Sequence, residues 1–231
     1  MTDPLVPEHF ADWNEQMIRR YDPEIFHHHP RGMVRWVEKR RVGAVVRELD
    51  ADVKHRVLDV GCGAGNILEQ LPAGEKHGLD LSPYMVKRAK ERLGNSAKIL
   101  RGDAEQLPFE NGTFDRVIAS SLLSHVLHPE QVVSELSRVT KPDGRIVISI
   151  CHEDQIERGL RWARSFGLQR LFFGAAQTDN SPQVYNVECH LHHFSPKRLR
   201  EVTMNRLREV SMVKAPLFIF PVHWIGTYVK T

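Results

Sequence analysis

Three aspartates, Asp59, Asp80 and Asp103, lie at or just after the ends of three successive short apolar runs in a chain of 231 residues. A glycine-rich turn, Gly61–Gly65, begins two residues after Asp59. Glycine lets the backbone turn sharply and approach a ligand with no Cβ in the way. A helix that begins directly after such a turn directs N–H groups at that ligand. These residues therefore predict a small-molecule site in which carboxylates accept hydrogen bonds from the ligand.

The spacing of the glycines discriminates between two classes of cofactor. A dinucleotide fingerprint, Gly-x-Gly-x-x-Gly or Ala, needs a small residue at the position that Asn66 occupies here. The sequence instead reads Asp-x-Gly-x-Gly-x-Gly, with the acid two residues before the first glycine. A nicotinamide-dependent oxidoreductase is therefore disfavoured.

The later acids indicate which groups a ligand would present. Asp80 follows Asp59 by 21 residues, and there its carboxylate can accept both hydroxyls of a ribose. Asp103 can accept a hydrogen bond from an adenine amino group, and Leu81 and Met85 would supply apolar faces for that adenine. Because the carboxyl ends of parallel strands meet at one edge of a sheet, we expect the three acids to face one site.

Alternating strands and helices would position these residues. Apolar residues at three- and four-residue steps predict the helices, and short apolar runs bounded by turns predict the strands. This alternation is typical of a mainly parallel sheet with helices on both faces. The turn Lys141–Gly144 is predicted to separate the last of these helices from the last strand. The predicted strands are 56–60, 75–80, 97–101, 114–120 and 144–151, and the predicted helices are 8–20, 34–49, 65–71, 83–93 and 129–139.

The helix at 34–49 is predicted to be amphipathic. Its apolar face consists of valines and a leucine, and its polar face is predicted to carry Glu38, Lys39, Arg40 and Arg47. After residue 151 the pattern loosens into a predicted helix at 154–171, a loop at 174–190, a helix at 195–206 and strand-like runs at 208–215 and 218–229. A long irregular insertion is usually functional, such as a lid, and a surface excursion is the alternative.

The length predicts a single domain over 1–231. Its parts would be N-terminal helices at 1–50, a cofactor-binding half at 51–151, an insertion or lid at 152–195, and a C-terminal helix and strand pair at 196–231. Apolar residues at 41%, charged residues at 26% and a net charge of +3 are typical of a globular protein. There is no Lys/Arg block of the kind that binds nucleic acid.

Cysteine usage and hydropathy predict the compartment. Three cysteines without a Cys-x-x-Cys spacing favour a reducing environment over a disulfide framework or a zinc site. No basic segment leads into an apolar run at the N-terminus. The apolar stretch Ala215–Gly226 is interrupted by prolines and is too short to span a bilayer. We therefore expect a cytoplasmic protein with no membrane span.

Residues 56–151 resemble the class I S-adenosylmethionine-dependent methyltransferases, in their UbiE-like small-molecule branch. The resemblance is carried by VLDVGCGAGN, GLDLSPYMVKRAKERL, GDAEQLPFENGTFDRVIASSLLSHV and KPDGRIVIS. It covers less than half of the chain. It implies an α/β fold with a Rossmann-like seven-stranded mainly parallel sheet in the order 3-2-1-4-5-7-6, strand 7 being antiparallel, together with a helical or loop cap.

The resemblance also implies S-adenosyl-L-methionine as the cofactor and assigns roles to residues. Asp59 and the turn residues Gly61, Cys62 and Gly63 would hold the methionine part, and Asp80 would bind the ribose. The adenine would contact Asp103, the backbone of Ala104, Leu81 and Met85, while Ser120 would lie beside the methionine end.

Methyl transfer from a sulfonium is an in-line displacement, so the protein must mainly orient the acceptor. A hydroxyl or protonated amine acceptor also needs a proton acceptor, for which histidine is the usual side chain. His125, directly after the fourth predicted strand, is our candidate catalytic residue. Packing or positioning near the methyl group is the alternative role.

Two histidine clusters and an aromatic group remain. His27–His29 and the cluster His190, His192 and His193 are interpreted as solvated or substrate-lining rather than as metal ligands, so no metal is predicted. Aromatic residues in the insertion would form either a satellite core under a lid or a substrate pocket, namely Trp162, Phe166, Phe172, Phe173 and Tyr185. Arg161, Arg164 and Arg170 nearby would hold an anionic substrate group or lie on a solvated face.

The sequence thus predicts methyl transfer to an O, N or C nucleophile of a small molecule. The predicted partner is that small-molecule acceptor, with no nucleic acid, and the chain would be a monomer or homodimer. The alternatives are a methyltransferase acting on RNA or protein, and a catalytically silent cofactor-binding partner protein.

Overall fold

The computed structural model of the protein describes residues 9–30, 32–72, 74–152, 190–216 and 221–231, with isolated helical positions at 155, 158, 161 and 165. Most of the helix predicted at 154–171 and nearly all of the loop predicted at 174–190 therefore lie outside the described residues. The five aromatic residues of the insertion, together with Arg164 and Arg170, also lie outside them.

Seven helices and seven strands make up the described part of the fold. The helices are α1 (Phe10–Arg20), α2 (Ile25–His28), α3 (Gly32–Leu49), α4 (Asn66–Gln70), α5 (Pro83–Leu93), α6 (Pro129–Val139) and α7 (Pro196–Thr203). The strands are β1 (Arg56–Val60), β2 (Glu75–Asp80), β3 (Lys98–Arg101), β4 (Phe114–Ser120), β5 (Thr140–Cys151), β6 (Leu207–Pro216) and β7 (Pro221–Lys230). Short 3-10 turns span Gly94–Ser96 and Leu123–His125.

The strands form one sheet in the order β3-β2-β1-β4-β5-β7-β6. The strands β1 to β5 are paired in parallel, and β7 runs antiparallel to both β5 and β6. The predicted sheet order and the antiparallel seventh strand are confirmed. The chain reverses its winding between β1 and β4, which is the point at which open α/β sheets bind ligands beyond their carboxyl ends.

Helices cover both faces of the sheet because each face is a continuous apolar layer. On one face, valines and a leucine of α3 pack with strand residues such as Val57, Ile118 and Val147. On the other face, α6 and α7 pack through residues such as Leu136 and Leu199. Full burial of each such side chain contributes roughly 1.5–3 kcal/mol. In the described part of the chain, no helix combines the length and the apolar character that crossing a membrane requires.

The turn predicted at Lys141–Gly144 is wrong in its placement, because these residues lie inside β5. Phe114 pairs with Thr140, and the next pair is Arg116 with Arg145. One residue of β4, Asp115, therefore lies opposite four residues of β5, which form a bulge. Lys141 Nζ lies 2.6 Å from Asp115 Oδ1 and fixes this bulge to β4. The turn residues thus deform a strand that has already begun, instead of separating helix from strand.

Candidate active site

The glycine turn is pinned to the end of β2. The backbone N–H groups of Gly61 and Cys62 donate to the carbonyl oxygen of Leu79 at 2.8 and 3.0 Å. Gly61 and Gly63 have φ angles of 70° and 52°, a region that glycine adopts without steric cost. A Cβ at Gly63 would meet no atom of the described chain within 4 Å. The turn is therefore rigidly held and open on the side where a ligand would lie.

Asp80 links this turn to the start of α5. One carboxylate oxygen accepts from the N–H of Gly63 at 2.8 Å, and the other accepts from the N–H of Ser82 at 3.0 Å. Ser82 in turn caps α5, because its Oγ accepts from the N–H of Met85 at 3.2 Å. Burial raises the pKa of Asp80, and these backbone hydrogen bonds oppose the rise. Asp80, which is predicted to bind the ribose, thus also connects the glycine turn to the start of α5.

Asp59 is the least satisfied polar group of the site. Its side chain is buried at the end of β1, and neither carboxylate oxygen has a hydrogen-bond partner among the described residues. Burial, together with the negative charge of Asp80, raises the pKa of Asp59 to about 8, and Arg41 opposes this rise. A buried carboxylate without donors costs about 1–3 kcal/mol or more, so this position is suited to a ligand that carries a cationic donor.

A buried arginine that sequence reasoning missed lies beside Asp59. Arg41 of α3 donates through Nη1 to Ser120 Oγ at the end of β4. Ser120 and Ser149, at the ends of adjacent strands, have Oγ atoms 2.8 Å apart. The structure thus brings the turn, Asp59, Asp80 and Ser120 to one edge of the sheet, as predicted, and adds a guanidinium.

The prediction that Glu38 lies on the polar face of α3 is wrong. Glu38 is buried, and its two carboxylate oxygens accept from Nε and Nη2 of Arg41. Burial raises the pKa of Glu38, but Arg41 outweighs this effect and holds it at about 2. Residues 34, 38, 41, 45 and 49 share one side of the helix, at steps of three and four. Glu38 and Arg41 have opposite charges and lie on this otherwise apolar side of the helix. That placement was the sequence signal that could have identified them as a buried ion pair.

The members of the first histidine cluster differ in contacts and exposure. His27 Nε2 lies 3.2 Å from Glu38 Oε1, whereas the side chain of His28 is exposed and His29 is buried. Burial lowers the pKa of His27 despite this carboxylate. His223 on β7 is a second histidine near this charge pair, and burial, reinforced by the charge of Arg41, lowers its pKa to about 4. His27 therefore contacts the carboxylate of Glu38, whereas His28 Nε2 lies 4.0 Å from a carboxylate oxygen of Glu24.

Asn66, the residue that distinguishes this turn from a dinucleotide fingerprint, fastens the N-terminal helices to the site. Its side-chain amide donates to Glu24, which precedes α2. Arg92 of α5 lies between them, with Nη2 2.7 Å from a carboxylate oxygen of Glu24 and Nη1 2.9 Å from the carbonyl oxygen of Ala64. We call Glu24, Asn66 and Arg92 the cap latch. It fixes the segment before α2 to the end of the glycine turn.

The predicted adenine contacts lie beyond β2 and β3. Asp103 is exposed, and one of its oxygens accepts from the N–H of Glu105 at 2.9 Å. Ala104 and Met85 are buried and Leu81 is half-buried. The N–H of Gly102 donates to the backbone oxygen of Asp80 at 3.0 Å, which joins the two predicted subsites. Their roles toward a ligand stay predictions.

His125 ends the 3-10 turn that follows β4 and is half-buried. Its ring centroid lies 4.6 Å from that of His190, with the rings at 73°. The N–H of Leu191 donates to the carbonyl oxygen of Ser124 at 2.8 Å, so the second histidine cluster is docked on this turn. In the ranges that the structure describes, no group of three or more His, Cys, Asp or Glu side chains could hold a metal ion.

Comparison with known proteins shows that the chain is similar to methyltransferases in sequence and in fold. The family described as a methyltransferase domain matches residues 58–148. The chain is 35% identical over 136 residues to a probable chloroplastic tocopherol O-methyltransferase of Oryza sativa subsp. japonica, which covers 54% of this chain and 37% of that protein. It is 37% identical over 113 residues to a demethylmenaquinone methyltransferase of Geobacillus kaustophilus, which covers 45% of this chain and 48% of that protein. The chain thus spans less than half of the length of either relative.

A solved structure from Thermotoga maritima shares the fold. It is described as an S-adenosylmethionine-dependent methyltransferase, possibly a histamine N-methyltransferase, and superposes with a TM-score of 0.66 over 96% of this chain and 100% of that chain at 16% identity. This likeness confirms the Rossmann-like architecture of the described residues. The match over residues 58–148 shows that this part of the chain is similar to the methyltransferase domain family.

Proposed function

We propose that the chain transfers the methyl group of S-adenosyl-L-methionine to a small-molecule acceptor. The observation that carries this proposal is the buried carboxylate of Asp59, which has no hydrogen-bond partner among the described residues and directly precedes the open turn at Gly63. The methionine part of the donor carries an α-ammonium group, which would supply the missing donor and the missing positive charge. A nicotinamide dinucleotide carries no such group on the part that binds a glycine turn.

The remaining predicted residues follow the donor outward from Asp59. The backbone of Gly61, Cys62 and Gly63 would contact the methionine part, with Ser120 beside it. Asp80 would accept the two ribose hydroxyls while it keeps its bonds to the turn. The adenine would lie among Leu81, Met85, Asp103 and Ala104.

The donor supplies a methyl group on a positively charged sulfur, which is a good leaving group. The chain itself must hold the acceptor in line with that methyl group, and such orientation supplies up to ~7–11 kcal/mol of the barrier. We propose that His125 accepts the proton of a hydroxyl or protonated amine acceptor. Contact with the His190 ring, 4.6 Å away between centroids, would fix its orientation.

A small-molecule acceptor is favoured by two observations. The two relatives described above are named for methylation of tocopherol and demethylmenaquinone, and the sequence has no Lys/Arg block suited to nucleic acid. The cysteine pattern supports a cytoplasmic protein, and we propose a monomer or homodimer.

Calorimetry tests this proposal. S-adenosylhomocysteine, the product of the donor, is titrated into the protein, and NAD is titrated under the same conditions. We expect binding of S-adenosylhomocysteine and none of NAD. Binding of NAD without binding of S-adenosylhomocysteine contradicts the proposal. A steep dependence of acceptor binding on salt would indicate a nucleic-acid substrate instead.

A further inference from the structure

Helix α3 projects beyond the carboxyl edge of the sheet, where the candidate site lies. Arg41 contacts Ser120 at the end of β4, whereas the backbone oxygen of Asp50, directly after the helix, accepts from Nε of Arg116 near the start of β4 at 3.2 Å. The helix therefore runs antiparallel to β4, and its residues before Arg41 extend past the edge. At about 1.5 Å per residue, its first turn lies about 12 Å farther along the axis than Arg41.

Two large apolar side chains are exposed on this projecting part of α3. Met33 is 51% exposed and Trp36 is 38% exposed. They lie on one face of the helix with Arg40, at steps of three and four residues. Cζ of Arg40 lies over the Trp36 ring, 5.4 Å from its centroid. Apolar side chains that are exposed side by side, unlike isolated ones, indicate an interaction surface.

The exposed charge of α3 is positive. Its exposed charged residues are all cations, namely Arg35, Lys39, Arg40 and Arg47. Both glutamates of the helix, one buried and one half-buried, accept hydrogen bonds from neighbouring side chains. Exposed lysines of α5 and α7 instead have an acid one turn away, as in Lys87 with Glu91 and Lys197 with Glu201. Mixed signs of this kind are typical of a solvated helix face, and α3 lacks them.

We propose that a surface at the start of α3, the α3 rim, docks the protein on an anionic phospholipid membrane. The α3 rim consists of Met33, Arg35, Trp36, Lys39 and Arg40. Its two apolar side chains would enter the headgroup region, where an indole keeps its apolar body in lipid and its N–H toward water. Anionic lipid attracts the cations, whose alkyl stems lie along apolar groups while the charges stay at the phosphates. This docking goes beyond the proposed function, and it would give a lipid-soluble acceptor direct access to the carboxyl edge of the sheet.

A nucleic acid is the other polyanion that a surface of cations and an aromatic ring could bind. The ring would then stack on a base, but one face of the Trp36 ring is already covered by Arg40. Met33 adds exposed apolar area on the first turn of the helix, which a headgroup layer would bury and a phosphate backbone would not. These two observations favour a membrane.

Sedimentation with vesicles tests the surface as a whole. Vesicles of phosphatidylcholine alone are compared with vesicles in which about one third of the lipid is phosphatidylglycerol. We expect the protein to sediment with the anionic vesicles, to bind the neutral ones far more weakly, and to dissociate as the salt concentration rises. A single-stranded oligonucleotide is titrated in parallel. Absence of binding to the anionic vesicles at low salt overturns the inference, and binding to the oligonucleotide alone would assign the surface to nucleic acid.

Charge variants of the α3 rim are compared with a matched variant farther along the same helix. Lys39→Gln and Arg40→Gln should each weaken binding to the anionic vesicles about fivefold, the factor expected for one basic residue at such a surface. Arg47→Gln removes the same charge from an exposed position of α3, but beyond Arg41 on the side away from the carboxyl edge, so binding should be unchanged. An equal loss in Arg47→Gln overturns the inference, because net charge alone would then explain the binding.

Tryptophan variants test whether the apolar part of the α3 rim enters the lipid. Trp36→Ala should weaken binding to the anionic vesicles about tenfold, and Val53→Ser, at an apolar side chain 68% exposed after the end of α3, should not. Lipid brominated near the headgroup should quench the fluorescence of the unmodified protein, and Trp36→Phe should remove most of this quenching while binding persists. Full binding in Trp36→Ala, or unchanged quenching in Trp36→Phe, overturns the inference. The affinity for S-adenosylhomocysteine should be the same in every variant, and it reports separately on the proposed function.

Discussion

Nη2 of Arg92 lies 2.7 Å from a carboxylate oxygen of Glu24. Helix α5, which contains Arg92, therefore holds the segment directly before α2. These two residues are 68 positions apart in the chain. Because Asn66 donates to the same carboxylate at the end of the glycine turn, the segment before α2 and the glycine turn are held together.

Weakening the cap latch should destabilise the protein. Glu24 has only 5% of its side chain exposed, and burial would raise its pKa if hydrogen bonds from Arg92 and Asn66 did not lower it. Glu24→Gln should therefore reduce the free energy of unfolding by about 1–3 kcal/mol, measured by urea denaturation at pH 7. Glu91→Gln, from the exposed pair with Lys87, should change it by less than about 0.5 kcal/mol. Equal changes in the free energy of unfolding in the two variants would show that the cap latch stabilises the protein no more than an exposed ion pair does.

The unpaired carboxylate of Asp59 should cost stability at alkaline pH. Its folded-state pKa is raised to about 8, first by burial and then by Asp80, whereas an unfolded aspartate ionises near its reference value of about 3.9. Between these values the folded chain holds a proton that the unfolded chain has lost, so stability falls as pH rises from about 4 to about 8. Asp59→Asn should raise the melting temperature more at pH 8 than at pH 5 when no ligand is present.

The control for this measurement is Asp143→Asn, the same chemical change at an exposed position. It should give a small shift that is similar at both pH values. A shift for Asp59→Asn that is independent of pH would mean that Asp59 is already ionised in the folded protein.

Asp80 should act on the adenosyl part of the donor rather than on its amino acid part. Asp80→Asn should weaken S-adenosylhomocysteine and 5′-methylthioadenosine alike by about 1–3 kcal/mol, through lost hydrogen bonds to the ribose and a disturbed bond to Gly63. Calorimetry with both ligands measures this loss, and unchanged affinity for both would place the ribose elsewhere.

His125 should affect turnover and not donor binding. His125→Ala should leave the Kd of S-adenosylhomocysteine within about threefold and lower kcat by about 10²- to 10⁴-fold. The turnover assay uses the first acceptor that supports methylation in a screen of small phenols, quinols and amines. His128→Ala is the matched control, since His128 lies three residues away with 71% of its side chain exposed. Unchanged kcat in His125→Ala would remove this residue from the mechanism.

Local patterns were sufficient to predict most of the fold. The alternation of strands and helices predicted the parallel half of the sheet, and the spacing of Asp59, Gly61 and Gly63 predicted the turn. The bulge at Lys141–Gly144 escaped prediction because proline and glycine indicate that a chain changes direction, not whether it has already paired with a neighbour. Phe114 pairs with Thr140 before that turn begins.

The candidate site was predictable only in part. Residues at the carboxyl ends of parallel strands must share an edge of the sheet, so Asp59, Asp80 and Ser120 could be brought together from their positions in the sequence. The contact between the rings of His125 and His190 could not, because it joins two segments that no local rule relates.

The sequence by itself determined that a glycine turn with an acid before it lies at the switch point of an α/β sheet, since that follows from local spacing and strand order. Only the tertiary structure decided which charges meet there. Arg41 and Ser120 are 79 residues apart, and their contact depends on how α3 packs across β4, β5, β7 and β6. Packing of that helix buries Glu38 and Arg41 beside Asp59. Burial then makes the balance of these charges matter, because charges interact strongly where water cannot screen them.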